Sequence, residues 1–238
     1  NSDRNELLVS FKEKGISGVV CCGVNIETSE FAVELSHKYD FVYSAVGFHP
    51  LDNDEYKDGD LERIKELAKD EKCVAIGEIG LDYHYEKESR AEQLILLEKQ
   101  IQLANELDLP VIFHDRESHE DTLNILKKYK PKGVLHCFSG SVEMAKEIIK
   151  LGMYIGLGGA VTFKNAVKPC EVAKFVPSDR LLIETDAPYM TPVPFRGKRC
   201  DSLYIPYTAE KIAELRGVTA QEILDITDRN ARTLFNIG

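Results

Sequence analysis

A chain of 238 residues with 43% hydrophobic and 29% charged side chains has enough apolar material for one large α/β domain without structural disulfides. Its formal net charge of −10 excludes a broad basic face for sequence-independent duplex binding, though not a nuclease whose active-site metals hold phosphate. There is no apolar run of membrane-spanning length and no signal peptide, so a cytoplasmic protein without a membrane partner is expected.

Taken in order, the chain opens on a helical pattern near residues 3–14, and apolar strand candidates then recur at 18–23, 41–47, 73–77, 110–114, 132–136, 153–158 and 180–185. These runs are continuous rather than alternating, as in strands covered on both faces. Helices lie between them. Asp60 opens DLERIKELAKD. Leu94, Leu97, Ile101, Ala104 and Leu107 form a stripe over 90–108 that stops before Pro110. Ser141 caps SVEMAKEIIKLG, which Gly152 ends. Helices over 206–216 and 219–236 close the chain, the last capped by Thr219 with Glu222 three residues on. No linker or low-complexity tract divides the sequence, so residues 1–238 read as a single domain. Six cysteines, none in a C-x-x-C pair, read as reduced thiols.

Metal-type ligands close the strand runs one by one: VAIGE at Glu78, PVIFH at His114, GVLH at His136 and LLIETD at Asp186. The gaps between them, 36, 22 and 50 residues, each leave room for a helix and a return strand. Parallel strands joined by crossover helices bring all their carboxyl ends to one face, so these four residues are expected to converge. Taken singly, each has an ordinary structural role open to it: a capping acid for Glu78 and Asp186, a hydrogen-bonded core imidazole for the histidines. Together they point to a metal-dependent hydrolase on a β/α barrel. Glu78 is suited to bridge two divalent ions, His114 and His136 to share one, and Asp186 to take a proton from water. His49 in GFHP is placed on the substrate side. His84 lies beyond the Glu78 turn and either lines the cleft or is solvated. Arg116 either clamps a phosphate oxygen or pairs with Glu117 or Asp121. Lys164 and the cluster Arg196, Lys198 and Arg199 sit in loops after the last two strands, where barrels commonly hold phosphate.

GFHP, GEIGLDYH, PVIFHDRES, HCFSGS, GLGGAVTFKN, ETDAPY and PFRGKR together resemble the TatD family of metal-dependent deoxyribonucleases, from about residue 15 onward. The resemblance implies a TIM barrel and Mg²⁺-dependent hydrolysis, often 3′-to-5′ on DNA. It makes Glu78 a bridging ligand, puts His114 and His136 on the second metal, and gives Asp186 the roles of ligand and general base. Two divalent ions are expected; Mn²⁺ and Zn²⁺ suit the same donors as Mg²⁺. DNA is the expected substrate, with a monomer and no obligate protein partner. The family opens with a strand carrying an Asp-x-His-x-His type motif, which this chain lacks, as it lacks an initiator methionine and an eighth strand. A native product longer by roughly 10–15 residues, about one strand and its loop, is the resulting expectation. After PFRGKR the family's Asn-Glu-Pro is replaced by Cys200, Asp201 and Ser202. Two other functions fit the same residues: hydrolysis of a different ester or amide, such as an aminoacyl-tRNA bond, and a noncatalytic barrel that binds metal or phosphate.

Overall fold

The computed structural model describes residues 3–85 and 89–238. All seven expected strands form: β1 (Val19–Cys22), β2 (Val42–Val46), β3 (Cys73–Asp82), β4 (Val111–Arg116), β5 (Gly133–Leu135), β6 (Tyr154–Leu157) and β7 (Leu181–Ile183). They pair in parallel and in sequence order, from β1 at one edge to β7 at the other. Between them run α2 (Ile26–Lys38), α3 (Asp60–Leu67), α4 (Arg90–Glu106), α5 (His119–Tyr129), α6 (Val142–Lys150) and α7 (Val167–Phe175). An opening helix, α1 (Arg4–Glu13), and two closing ones, α8 (Ile205–Arg216) and α9 (Ala220–Phe235), complete the described α-helices. This is the β/α arrangement of a TIM-type barrel.

The caps agree closely with the sequence. Thr219 and Glu222 form a reciprocal capping box, and Ser141 accepts from the Met144 N–H at 3.3 Å. Asp60 opens α3 as expected, with Gly59 in the cap position and the Asp60 carboxylate accepting from the Lys57 N–H at 2.8 Å.

Two apolar layers separate on the sheet. The larger core lies between sheet and helices and includes Ile76, Ile79, Phe113, Leu135, Ile155 and Leu181 with Leu97 and Ile101 of α4. The second takes one residue from each of β2 to β7: Ala45, Ala75, Ile112, Val134, Tyr154 and Leu182, closed by Ala231, Leu234 and Phe235 of α9. This second layer fixes where the site must be. Side chains two residues apart on a strand share a face, so His114 lies above Ile112 and His136 above Val134. Glu184 and Asp186 come after Leu182 at the same spacing, and His49 after Ala45.

Glu78 breaks this parity, being an odd step from Ala75. The register shifts between Ile76 and Ile79: three steps on β3 match two on β4, from Val111 to Phe113. Such a bulge inserts one residue and re-aims the side chains beyond it. It turns Glu78 to the inner face, and Gly80 and Asp82 with it. The strand also continues past Glu78 to Asp82, so Glu78 is not at a strand end as its sequence run suggests. β4 likewise runs two residues beyond His114. Gly80 is required where it stands, since a Cβ there would collide with the His114 backbone carbonyl.

Candidate metal centre

Three imidazoles converge on one carboxylate oxygen. His136 Nε2 lies 2.8 Å from Glu78 Oε1, His114 Nδ1 3.1 Å and His49 Nε2 3.4 Å. His114 Nδ1 and His136 Nε2 are themselves 3.4 Å apart. The four side chains are 11–17% exposed, so the cluster is sheltered but open to small molecules.

The outward nitrogens of two of the rings are held by further carboxylates. His114 Nε2 meets Asp82 Oδ2 at 3.1 Å, and His136 Nδ1 meets Glu184 Oε2 at 3.3 Å. With the outer N–H groups donating to Asp82 and Glu184, His114 Nδ1 and His136 Nε2 face the centre together, and an ion bound there would take the place of their protons. This is the carboxylate–histidine backing that orients metal ligands. His49 is different. Its Nδ1 accepts the Leu51 backbone N–H at 3.2 Å, which leaves the ring proton on Nε2, facing Glu78. Although His49, Glu78 and His114 have donor atoms within 4.8 Å of one another, His49 in this tautomer is a hydrogen-bond donor rather than a ligand.

Glu78 Oε1, His114 Nδ1 and His136 Nε2 form a triangle with sides of 2.8, 3.1 and 3.4 Å. Ligands about 2.1 Å from one tetrahedral ion stand about 3.4 Å apart, so this triangle suits a single ion with little adjustment. A buried oxygen, Glu184 Oε1, has no hydrogen-bond partner among the described residues. Imidazole and carboxylate donors suit Zn²⁺ and Mn²⁺, and the carboxylates suit Mg²⁺.

The electrostatics stem from crowding. Burial alone would raise the Glu78 carboxyl, but the charge on His136 and hydrogen bonds from three histidines hold it well below the ordinary range. Burial works against the charged form of His136, yet Glu78 and Glu184 outweigh it and keep this imidazole well above its usual value. His114 is raised by Asp82 and Glu78, again against burial. Asp186 is raised by burial, with Glu184 and Glu78 adding to it and His136 and His114 opposing. Its carboxylate has no hydrogen-bond partner among the described residues.

Two buried glutamines on one helix lock the backbone around this cluster. Gln100 Oε1 accepts the Phe48 N–H at 2.7 Å while its amide donates to the Phe48 carbonyl at 3.0 Å, beside His49. Gln93 does the same to Asp82, at 2.9 and 3.0 Å. The two are seven residues apart on α4, and each is 1% exposed. Neither they nor Asp82 and Glu184 stand out in the sequence. The available signals are the seven-residue spacing of glutamines on an apolar helix face and the carboxylates sharing segments with Glu78 and Asp186.

The remaining expected residues are exposed. His84 is held by Glu117 at 2.7 Å and is 41% exposed. Arg116 pairs with neither Glu117 nor Asp121; its guanidinium lies 4.8 Å from the Tyr85 ring centroid. Arg196 covers Phe163 at 4.0 Å, and Lys164 is exposed. Arg199 points away, to Asp3. All six cysteines are free, and burial pushes the Cys22 and Cys137 thiols well up, with nearby carboxylates adding.

A family model described as TatD related DNase matches residues 1–236. The chain belongs to the TatD family. It is 47% identical over 241 residues to an uncharacterized metal-dependent hydrolase, YabD, of Bacillus subtilis, covering 100% of this chain and 94% of that protein. It is 35% identical over 244 residues to a 3′-5′ ssDNA/RNA exonuclease, TatD, of Salmonella typhimurium, covering 99% and 94%. The crystal structure of YJJV, a TatD homologue from Escherichia coli, superposes with a TM-score of 0.94 at 32% identity over 100% of this chain and 93% of that one. An organophosphorus hydrolase from Deinococcus radiodurans, at 15% identity and a TM-score of 0.69 over 98% of this chain and 83% of that one, shares the fold. This TatD-family protein is therefore a metal-dependent hydrolase, and among the described residues no helix is long and apolar enough to cross a membrane.

Proposed function

We propose that this TatD-family hydrolase cleaves phosphodiester bonds in single-stranded DNA, removing nucleotides from the 3′ end. The observation that carries the reading is the Glu78 cluster, with two carboxylate-backed histidines on one oxygen and an unpartnered Asp186 carboxylate nearby. The polarity and the single-stranded substrate are supported by the 35% identical exonuclease.

Glu78, His114 and His136 would hold a divalent ion, and Asp186 would join them as a further ligand. Such ions supply positive charge against the developing charge on the phosphoryl oxygens and ease ionisation of water. Asp186, raised by burial and free of side-chain hydrogen bonds among the described residues, takes the proton of the attacking water. Once an ion held Glu78 Oε1, His49 would turn its Nε2–H from that carboxylate to a phosphoryl oxygen, its tautomer fixed by Leu51. Glu78 keeps its negative charge at any physiological pH because three imidazoles stabilise it. Arg116, Lys164, Arg196 and His84 meet the strand at the rim, a local basic element on an otherwise acidic chain.

The test monitors mononucleotide release from end-labelled single-stranded DNA with added Mg²⁺ or Mn²⁺. Asp186→Asn should abolish release while metal binding persists. Full activity in that variant would reject the general-base role, and no release from a metal-loaded wild-type protein would reject the nuclease reading.

A further inference from the structure

The turn after β3 presents an aromatic ring that the hydrolytic centre does not use. Tyr85 is 62% exposed, yet its backbone is tied down. Its backbone N–H donates to Asp82 Oδ1 at 3.0 Å, and the His84 N–H donates to the same oxygen at 2.9 Å. The other Asp82 oxygen faces His114. One carboxylate group therefore joins the Tyr85 turn to a metal-centre histidine. The His84 ring meets Tyr85 edge-on at 4.6 Å, and Arg116 lies against the ring at 4.8 Å.

The charge of Arg116 is uncommitted. Among the described residues, the acids nearest it in sequence already have partners: Asp115 takes Ser118 and His119, Glu117 takes His84, and Asp121 takes Arg90 and Tyr83. Arg116 itself makes no ion pair among the described residues. Arg116 stands two residues beyond His114 on β4, so it shares that histidine's face of the strand. An exposed aromatic with a free guanidinium against it is the pairing that takes a base and its phosphate together. A lone surface tyrosine would need no such anchoring.

We propose that Tyr85 and Arg116 form a stacking ledge for one nucleobase of the substrate strand, with Arg116 reaching the adjoining phosphate. The ledge rests on the nuclease reading and adds to it a site for the base. It accepts any base, because stacking engages the π-face rather than the hydrogen-bonding edge.

The test uses the whole protein in excess chelator, so that binding is read without cleavage. Short single strands carry 2-aminopurine at each of the last three 3′ positions in turn; the chain has no tryptophan to mask that fluorescence. Wild type should quench the probe at one of these positions. Tyr85→Ala should abolish the quench and weaken binding about tenfold, while Tyr85→Phe retains both. Arg116→Ala should weaken binding equally for a strand with its base and for one abasic at the quenched position. Tyr85→Ala should weaken only the strand that has the base. If the nuclease releases nucleotides but Tyr85→Ala changes neither quench nor affinity, or weakens both strands equally, the ledge is overturned and the nuclease reading stands. If wild type neither binds these strands nor releases nucleotides, both fall together.

Discussion

Asp82→Asn isolates the role of a carboxylate that touches no substrate. Asp82 is 1% exposed, accepts two backbone N–H groups on Oδ1, and faces His114 Nε2 with Oδ2 at 3.1 Å. Asparagine has the same shape, so the question is which way its amide turns. Pointing the NH₂ at the part-buried His84 and Tyr85 N–H groups would set donor against donor and lose both hydrogen bonds, at roughly 1 kcal/mol each. The carbonyl therefore stays on the turn, and the NH₂ faces His114. The ring must then accept at Nε2, which moves its proton to Nδ1, the nitrogen 3.1 Å from Glu78 Oε1. A protonated Nδ1 cannot ligate. Loss of such a backing group typically costs about 10–100-fold in metal affinity, or roughly 1.4–2.7 kcal/mol. Competition with a chelator for Mn²⁺ or Zn²⁺ measures it, and thermal unfolding in excess chelator reports the fold separately. Metal affinity within about twofold of wild type would refute the tautomer argument.

Other expectations rest on the same contacts. Gln100→Ala strips the Phe48 N–H and C=O of their buried partners, about 2–4 kcal/mol, so the melting temperature should fall by roughly 5–15 °C in a chain of this size; an unchanged melting curve would show that the pairing contributes nothing. In Gly158→Ala the new Cβ would lie 2.5 Å from Glu184 Oε1. Glu184 must shift away from His136, and chelator competition should register about tenfold weaker metal binding. In the ion-free protein, His114 and His136 have raised values and so stay protonated above the usual imidazole range, and an ion must displace those protons. Affinity should therefore rise with pH through and above about pH 6.5, with proton release seen calorimetrically in buffers of different ionisation enthalpy. Affinity that is flat with pH would contradict this.

The visible and the hidden features of this sequence have separate physical causes. Strands covered on both faces are continuous apolar runs, so all seven are visible, and their parallel order is implied by the helix-length gaps. Convergence of His114, His136 and Asp186 needs that order alone. The orientation of Glu78 needs more, because it depends on one extra residue between Ile76 and Ile79, and a bulge leaves no hydrophobic signature. Gln93 and Gln100 interrupt the apolar face of α4, where a stripe of leucines draws the eye and the polar residues look incidental. Asp82 and Glu184 act through histidines 32 and 48 residues away. The proton position on His49 is set by an N–H two residues on, a contact that exists only once the turn at Pro50 has formed.

The most direct measurement is anomalous diffraction from crystals of the protein soaked in Mn²⁺. A peak about 2.0–2.2 Å from a Glu78 oxygen, His114 Nδ1 and His136 Nε2 is the predicted result, with His49 Nε2 outside the coordination shell. A peak elsewhere in the barrel, or one ligated by His49 in place of His136, would contradict the account.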